Sequence, residues 1–106
     1  MTPFHVHPGA REEFDEAFNY YWEIDPELAE DFAATFFRYL GGIVGNPLRY
    51  NIRRRAVRRA NLQPRFGEYH IAYMIWRQEV VILALAHAKR RPYYWSKRIG
   101  EAKGIF

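Results

Sequence analysis

The spacing of apolar residues changes character near Pro47. Before it, they recur at helical intervals: Ala10, Phe14, Ala17, Phe18, Tyr21 and Trp22 share one face of a first helix, and Leu28, Phe32, Phe36, Tyr39, Leu40 and Ile43 share one face of a second. Asp25-Pro26 stops the first helix and starts the next, with Asp25 as cap and Pro26 at the first helical position. Glu12, Glu13, Asp15 and Glu16 crowd the opening turns of the first helix, where the macrodipole favours carboxylates. The second helix is expected to end between Gly41 and Gly45, because Pro47 cannot continue it. The two form a helical hairpin.

Ahead of the hairpin, Phe4 and Val6 alternate with His5 and His7 before Pro8-Gly9, the pattern of a short edge strand ended by a turn. After Pro47 the period becomes two. Ala56 to Leu62 reads as a strand bounded by Pro64. Tyr69, Ile71, Tyr73 and Ile75 alternate with His70, Ala72, Met74 and Trp76, a strand able to bury both faces. A tight turn at Arg77-Gln78-Glu79 leads into Val80 to Ala86, whose unbroken apolar run predicts a central strand. The order is βααβββ. This predicts one α+β domain spanning residues 1–106, with an N-terminal helical hairpin packed on a mainly antiparallel sheet.

Composition supports a folded core: 49% of residues are hydrophobic and 18% aromatic, ample apolar surface to offset chain entropy in a chain of 106 residues. The absence of cysteine excludes disulfides and thiolate metal sites and fits a reducing compartment. With no basic, apolar leader in Met1 to Pro8, the cytoplasm is the expected location. The longest apolar run is far shorter than the roughly 20 residues of a membrane helix, so no membrane partner is expected. Charge is more informative. Met1 to Asn46 carries two cations against nine carboxylates, and Pro47 to Phe106 carries fourteen against three. The basic half is built to attract polyanions, and the acidic half is expected to face elsewhere.

The basic half has two concentrations of charge. His87 to Arg98 joins Lys89, Arg90, Arg91, Lys97 and Arg98 to Tyr93, Tyr94 and Trp95, a mixture suited to nucleic acid or an acidic protein. The aromatics serve equally well to dock this segment on the sheet. Arg53, Arg54, Arg55, Arg58 and Arg59 form the second concentration; alternation sends Arg53, Arg55 and Arg59 to one face and Arg54 and Arg58 to the other. Like charges this dense cost stability unless a partner uses them. Arg65 adds a further candidate contact. His70 and His87, on neighbouring strands, combine with Arg90 and Tyr94 as a candidate acid–base set; the structural alternative is that His87 bonds a backbone group and His70 only packs. No metal site is indicated, since His5 and His7 lack a third ligand nearby, and no glycine loop cradles a phosphate. No cofactor is implied.

The acidic hairpin with Asp25-Pro26-Glu27-Leu28-Ala29, the turn near Asn46-Pro47, the hairpin from Arg65-Phe66 through Tyr73, and the closing Leu85 to Trp95 together resemble the RelE/ParE superfamily of bacterial type II toxins. The likeness runs from about Val6 to Arg98. It implies a βααβββ toxin neutralised by a cognate antitoxin bearing an acidic, amphipathic segment, with operator DNA reached indirectly through that antitoxin. RelE-like members cut messenger RNA on the ribosome; ParE-like members inhibit DNA gyrase. In a nuclease, Arg90 aligns with the family's transition-state arginine, and His87 or His70 would handle protons. His70 stands where RelE-like members often have arginine, and Ser96 where their C-terminal tyrosine usually lies. The ending Arg90-Arg91-Pro92-Tyr93-Tyr94-Trp95 with Arg98 is more similar to the ParE branch. The resemblance therefore implies inhibitory binding through Arg53, Arg55, Arg58, Arg59, Arg65, Lys89, Arg90, Arg91, Tyr94, Trp95 and Arg98. Its alternatives are messenger RNA cleavage and a degenerate, non-toxic member that acts only through antitoxin and operator binding.

Overall fold

The computed structural model describes residues 2–106. A short strand β1 (Phe4–Val6) is followed by helices α1 (Pro8–Ile24) and α2 (Pro26–Gly45). Strands β2 (Ile52–Arg54), β3 (Val57–Leu62), β4 (Phe66–Trp76) and β5 (Glu79–His87) come next, and helix α3 (Lys97–Ile105) closes the chain. The five strands form one sheet in the order β1-β5-β4-β3-β2, in which only β1 runs parallel to its neighbour. The α+β architecture, the helical hairpin and the mainly antiparallel sheet agree with the sequence pattern.

The hairpin forms as its signals dictate. The Asp25 carboxylate accepts the Glu27 N–H at 3.0 Å, and α2 runs to Gly45 before Asn46-Pro47 ends it. Its apolar face, with Phe32 and Ile43 fully buried, covers Ile71, Tyr73, Val80 and Ile82 of the sheet. Val80 to Ala86 is buried throughout, as expected of a strand covered on both faces.

Four features differ from the pattern. α1 begins at Pro8, because His7 caps it by accepting the Gly9 N–H on Nδ1, so Glu12 and Glu13 lie beyond the first turn. The arginine-rich stretch is a tight hairpin instead of a lead-in to one strand: Arg54 pairs with Val57 and Arg55 takes φ 52° in the turn, which breaks the simple alternation of the arginines. β5 carries a register shift against β4 between the Ala84 and Ile82 pairings, so Leu83 and Ala84 both join the face away from the hairpin. That second face is covered by α3, which the periodicity did not reveal; Ile99 and Ala102 pack with Trp95 on Val57, Met74 and Val81. His5 stacks on Phe106 at 4.6 Å, and His7 bonds Glu101 at 2.9 Å, tying β1 to α3.

Candidate functional site

β5 outruns its partner β1, whose last pairing is Val6 with Ile82. Beyond it, one edge of β5 offers backbone groups with no strand to meet them, and such groups are costly when buried. Side chains complete the edge. Glu13 of α1 accepts the Leu85 N–H at 3.1 Å, and Arg98 of α3 donates to the Leu83 carbonyl at 3.0 Å. Glu13 and Arg98 are themselves joined by two hydrogen bonds of 2.9 and 3.1 Å, and the Tyr94 hydroxyl donates to the other Glu13 oxygen at 2.5 Å. Arg90 lies over the Tyr94 ring at 4.0 Å. Gly9 makes room for this cluster, since a Cβ there would come within 2.5 Å of the Arg98 guanidinium carbon.

The cluster fixes the segment from Arg90 to Arg98 against the sheet. Burial, followed by the hydrogen bond to the Glu13 carboxylate, pushes the Tyr94 hydroxyl well above the ordinary tyrosine range. Burial by itself would lower the Arg98 pKa, but the bond and charge of Glu13 outweigh it and raise the group above its usual value. Tyr94 and Arg98 are thus committed to holding the fold.

Between this segment and β2–β5 lies a cavity of about 230 Å³. Arg53, Arg58, Arg59, Arg90 and Arg91 line it, over a floor that includes Val57, Ala72 and Ala86, and its lining contains no carboxylate. The geometry sorts the candidate residues. Arg53, Arg58, Arg59, Arg90, Arg91, His70, His87, Tyr94 and Trp95 meet around this cavity. Arg55, Arg65, Lys89 and Arg98 are outside its lining: Arg65 pairs with Asp31 at 2.8 Å, and Arg98 is held beneath by Glu13. Trp95 is only 3% exposed, so its indole docks the segment on the sheet as core. Arg58 donates to the Tyr50 carbonyl at 2.6 Å, and Arg59 to Asn61 at 2.9 Å, which orients both.

The histidines differ. His70 is pushed down to about 4, first by burial and then by the charges of Arg59 and Arg53, so it is a neutral imidazole at pH 7. His87 receives the Lys89 N–H on Nδ1 at 3.0 Å, while Nε2 lies 3.3 Å from Glu68 and the ring meets Tyr69 edge-on at 4.8 Å. Each is occupied in a way that a structural role explains.

Residues 4–92 match the model for the ParE toxin of type II toxin-antitoxin system, parDE. The chain belongs to the ParE toxin family. No curated protein matches it at a significant level. In this ParE-family chain the match includes both arginine concentrations up to Arg91 and stops at Pro92, so the docking aromatics and α3 lie beyond it. Family membership implies a cognate antitoxin. Among the described residues no group of acidic and histidine side chains is arranged to hold a metal, and no helix is long and apolar enough to cross a membrane.

Sequence reasoning gave Glu13 only a helix-dipole role and left Tyr93 out of the candidate binding residues. The signal for Glu13 was present: it sits three residues after Ala10 and four before Ala17, inside the apolar stripe, where a carboxylate requires buried partners. For Tyr93 the sequence gave the cluster but not the partner: its φ is 59°, and the Arg54 guanidinium carbon lies 4.6 Å from its ring centroid. The acidic half does not stay wholly apart from the basic half, because Glu13 reaches under Arg90 and Arg98.

Proposed function

We propose that this ParE-family chain is a toxin that acts by inhibitory binding, with DNA gyrase as the target, through the arginine-lined cavity and its rim. The reading rests on one observation: the cavity lining holds five arginines and no carboxylate, with Arg58 bonded to the Tyr50 carbonyl and Arg90 3.9 Å from Glu13 behind it, while the groups suited to proton transfer around it are otherwise engaged. Tyr94 is bound to Glu13, and His70 is too weak a base to hold a proton near neutrality. Such a site offers charge and shape to an anionic surface and little acid–base chemistry. The antitoxin relieves inhibition by covering the same face with an acidic, amphipathic segment.

Expression of the chain without antitoxin is expected to arrest growth and leave gyrase-dependent DNA breaks or loss of supercoiling, with antitoxin restoring growth. A supercoiling assay with purified gyrase decides the target: unchanged activity at saturating toxin removes the gyrase reading. One arrangement favours messenger RNA cleavage instead, since His70, His87, Arg90 and Tyr94 border a single cavity. Primer extension on ribosome-bound message separates the two readings, because new cuts at toxic levels belong only to a nuclease. Normal growth together with retained antitoxin binding would identify a non-toxic member acting through antitoxin and operator DNA.

A further inference from the structure

The end of α2 and the segment that follows it border a second cavity, of about 260 Å³, lined by Arg38, Tyr39, Gly42, Arg49 and Tyr50. It lies on the hairpin side of the sheet, since Tyr39 and Tyr50 pack against the core that contains Phe32, Ile71 and Tyr73, whereas the first cavity opens on the face of Val57 and Ala72. Its walls are held in place. The Tyr39 hydroxyl donates to the Gln63 carbonyl at 3.0 Å, the Tyr73 hydroxyl to the Pro47 carbonyl at 2.7 Å, and Arg58 to the Tyr50 carbonyl at 2.6 Å. Each cation is laid over the tyrosine next to it in the chain: the guanidinium carbon is 5.7 Å from the ring centroid for Arg38 over Tyr39 and 5.6 Å for Arg49 over Tyr50. The two rings stand 6.5 Å apart.

Two like charges thus face one small space whose lining has no carboxylate, and neither forms an ion pair among the described residues. The C-terminal end of α2 favours a nearby cation and accounts for Arg49, but Arg38 lies about two turns back along the helix and gains little there. A bound dianion accounts for both. Guanidinium forks match oxyanions edge-on, and a tetrahedral phosphate presents oxygens to two forks at once, while a planar carboxylate is satisfied by one. We propose that this cavity binds the phosphate group of a small phosphate ester, gripped between Arg38 and Arg49. Gly42 keeps the space open: a Cβ there would meet only Nη1 of Arg49, at 3.9 Å, so a longer side chain would grow into the room the ligand needs. The site lies on the other face of the sheet from the first cavity and does not depend on the gyrase reading.

The test is an NMR titration of the full chain at low salt with inorganic phosphate, adenosine monophosphate and adenosine. Saturable amide shifts at Arg38, Gly42, Arg49 and Tyr50 are expected with phosphate and the monophosphate, and none with adenosine; shifts at Arg53, Arg59 and Arg91 report the first cavity separately. Arg38→Gln/Arg49→Gln is expected to weaken binding at these amides by about tenfold or more. Arg77→Gln/Lys103→Gln removes the same charge beside Trp76 and is expected to leave it unchanged. Gly42→Leu puts a better helix former where a Cβ has room; it is expected to block the site with the circular dichroism spectrum retained, and carries the test if the Arg38 and Arg49 variant misfolds. The proposal fails if these amides do not shift by about 10 mM ligand, if Gly42→Leu binds as the parent does, or if the two charge-removing variants lose equally. It fails also if adenosine or succinate binds there as well as the monophosphate, or if an oligonucleotide binds there and the monophosphate does not, since the site would then serve a nucleic-acid strand.

Discussion

Glu13 and Arg98 form a doubly hydrogen-bonded pair, at 2.9 and 3.1 Å, across a separation of 85 positions in the chain. Between them they also satisfy the Leu85 N–H and the Leu83 carbonyl, so the pair replaces the strand that β1 is too short to provide. Through Tyr94 it sets the position of Arg90 at the cavity edge. An acidic residue of the helical hairpin thus organises the basic surface.

Removing one member of so buried a pair strands the other. Glu13→Ala is expected to lower stability by about 3–5 kcal/mol, because the Arg98 charge loses its partner while remaining buried. Glu13→Gln, which keeps an acceptor for Leu85, is expected to cost less. Urea denaturation of the two variants and of Arg98→Met checks this order. A loss from Glu13→Ala below about 1 kcal/mol would mean that the cluster relaxes into water.

The half-buried imidazole of His70 gives a pH signature. Its folded pKa, about 4, lies below the ordinary value of 6.5, so the unfolded chain binds a proton where the folded chain does not. The stability this neutral imidazole confers is complete above pH 6.5 and is lost as pH falls toward 4. His70→Gln is expected to flatten the decline of the urea midpoint in this window relative to the parent, whatever the carboxylates contribute to both. Parallel curves from pH 7 to 4 would contradict the assignment.

Cavity arginines and peripheral arginines should behave differently toward an acidic partner. Arg53→Glu and Arg59→Glu are each expected to weaken antitoxin binding by about tenfold or more, since like charge replaces attraction at the site. Arg65→Glu, in the β3–β4 turn beside Asp31, is expected to change it little. Calorimetry at two salt concentrations measures both the affinity and its electrostatic share. Equal losses at all three positions would place the contact elsewhere.

The β4–β5 turn holds Arg77 and Gln78 at φ 53° and 66°, left-handed backbone that glycine and asparagine adopt with less strain. Arg77→Asn/Gln78→Gly is expected to raise stability by about 1 kcal/mol, or several degrees in Tm, with no effect on partner binding. Thermal unfolding followed by circular dichroism tests it, and an unchanged or lower Tm would show that the native side chains compensate.

Local patterns foretold the elements whose causes are local. The cap at Asp25, the stop at Pro47, the helical stripe through Phe32 and Ile43, and the unbroken Val80–Ala86 run each act within a few residues, and each appears where the pattern put it. The α3 helix was missed because Lys97 to Ile105 has a weak apolar face, with only Ile99 and Ala102 buried; it is held by the sheet beneath and by Glu101 and Phe106 reaching His7 and His5. The arginine hairpin was missed because Arg55-Ala56 lacks the glycine or asparagine that announces such a turn.

The sequence by itself determined the α+β class, the helical hairpin, the division of charge between the halves and the wealth of arginine near the last strands, since all of these follow from residue type and spacing. Only the tertiary structure decided which cations are free to meet a partner. Arg53 and Arg91 reach a cavity without counter-charge, while Arg98, equally basic in the sequence, is spent on Glu13, and Trp95 is buried as core. The reason is physical: a charge is sorted into scaffold or surface by what folding brings beside it, and those neighbours come from the opposite end of the chain.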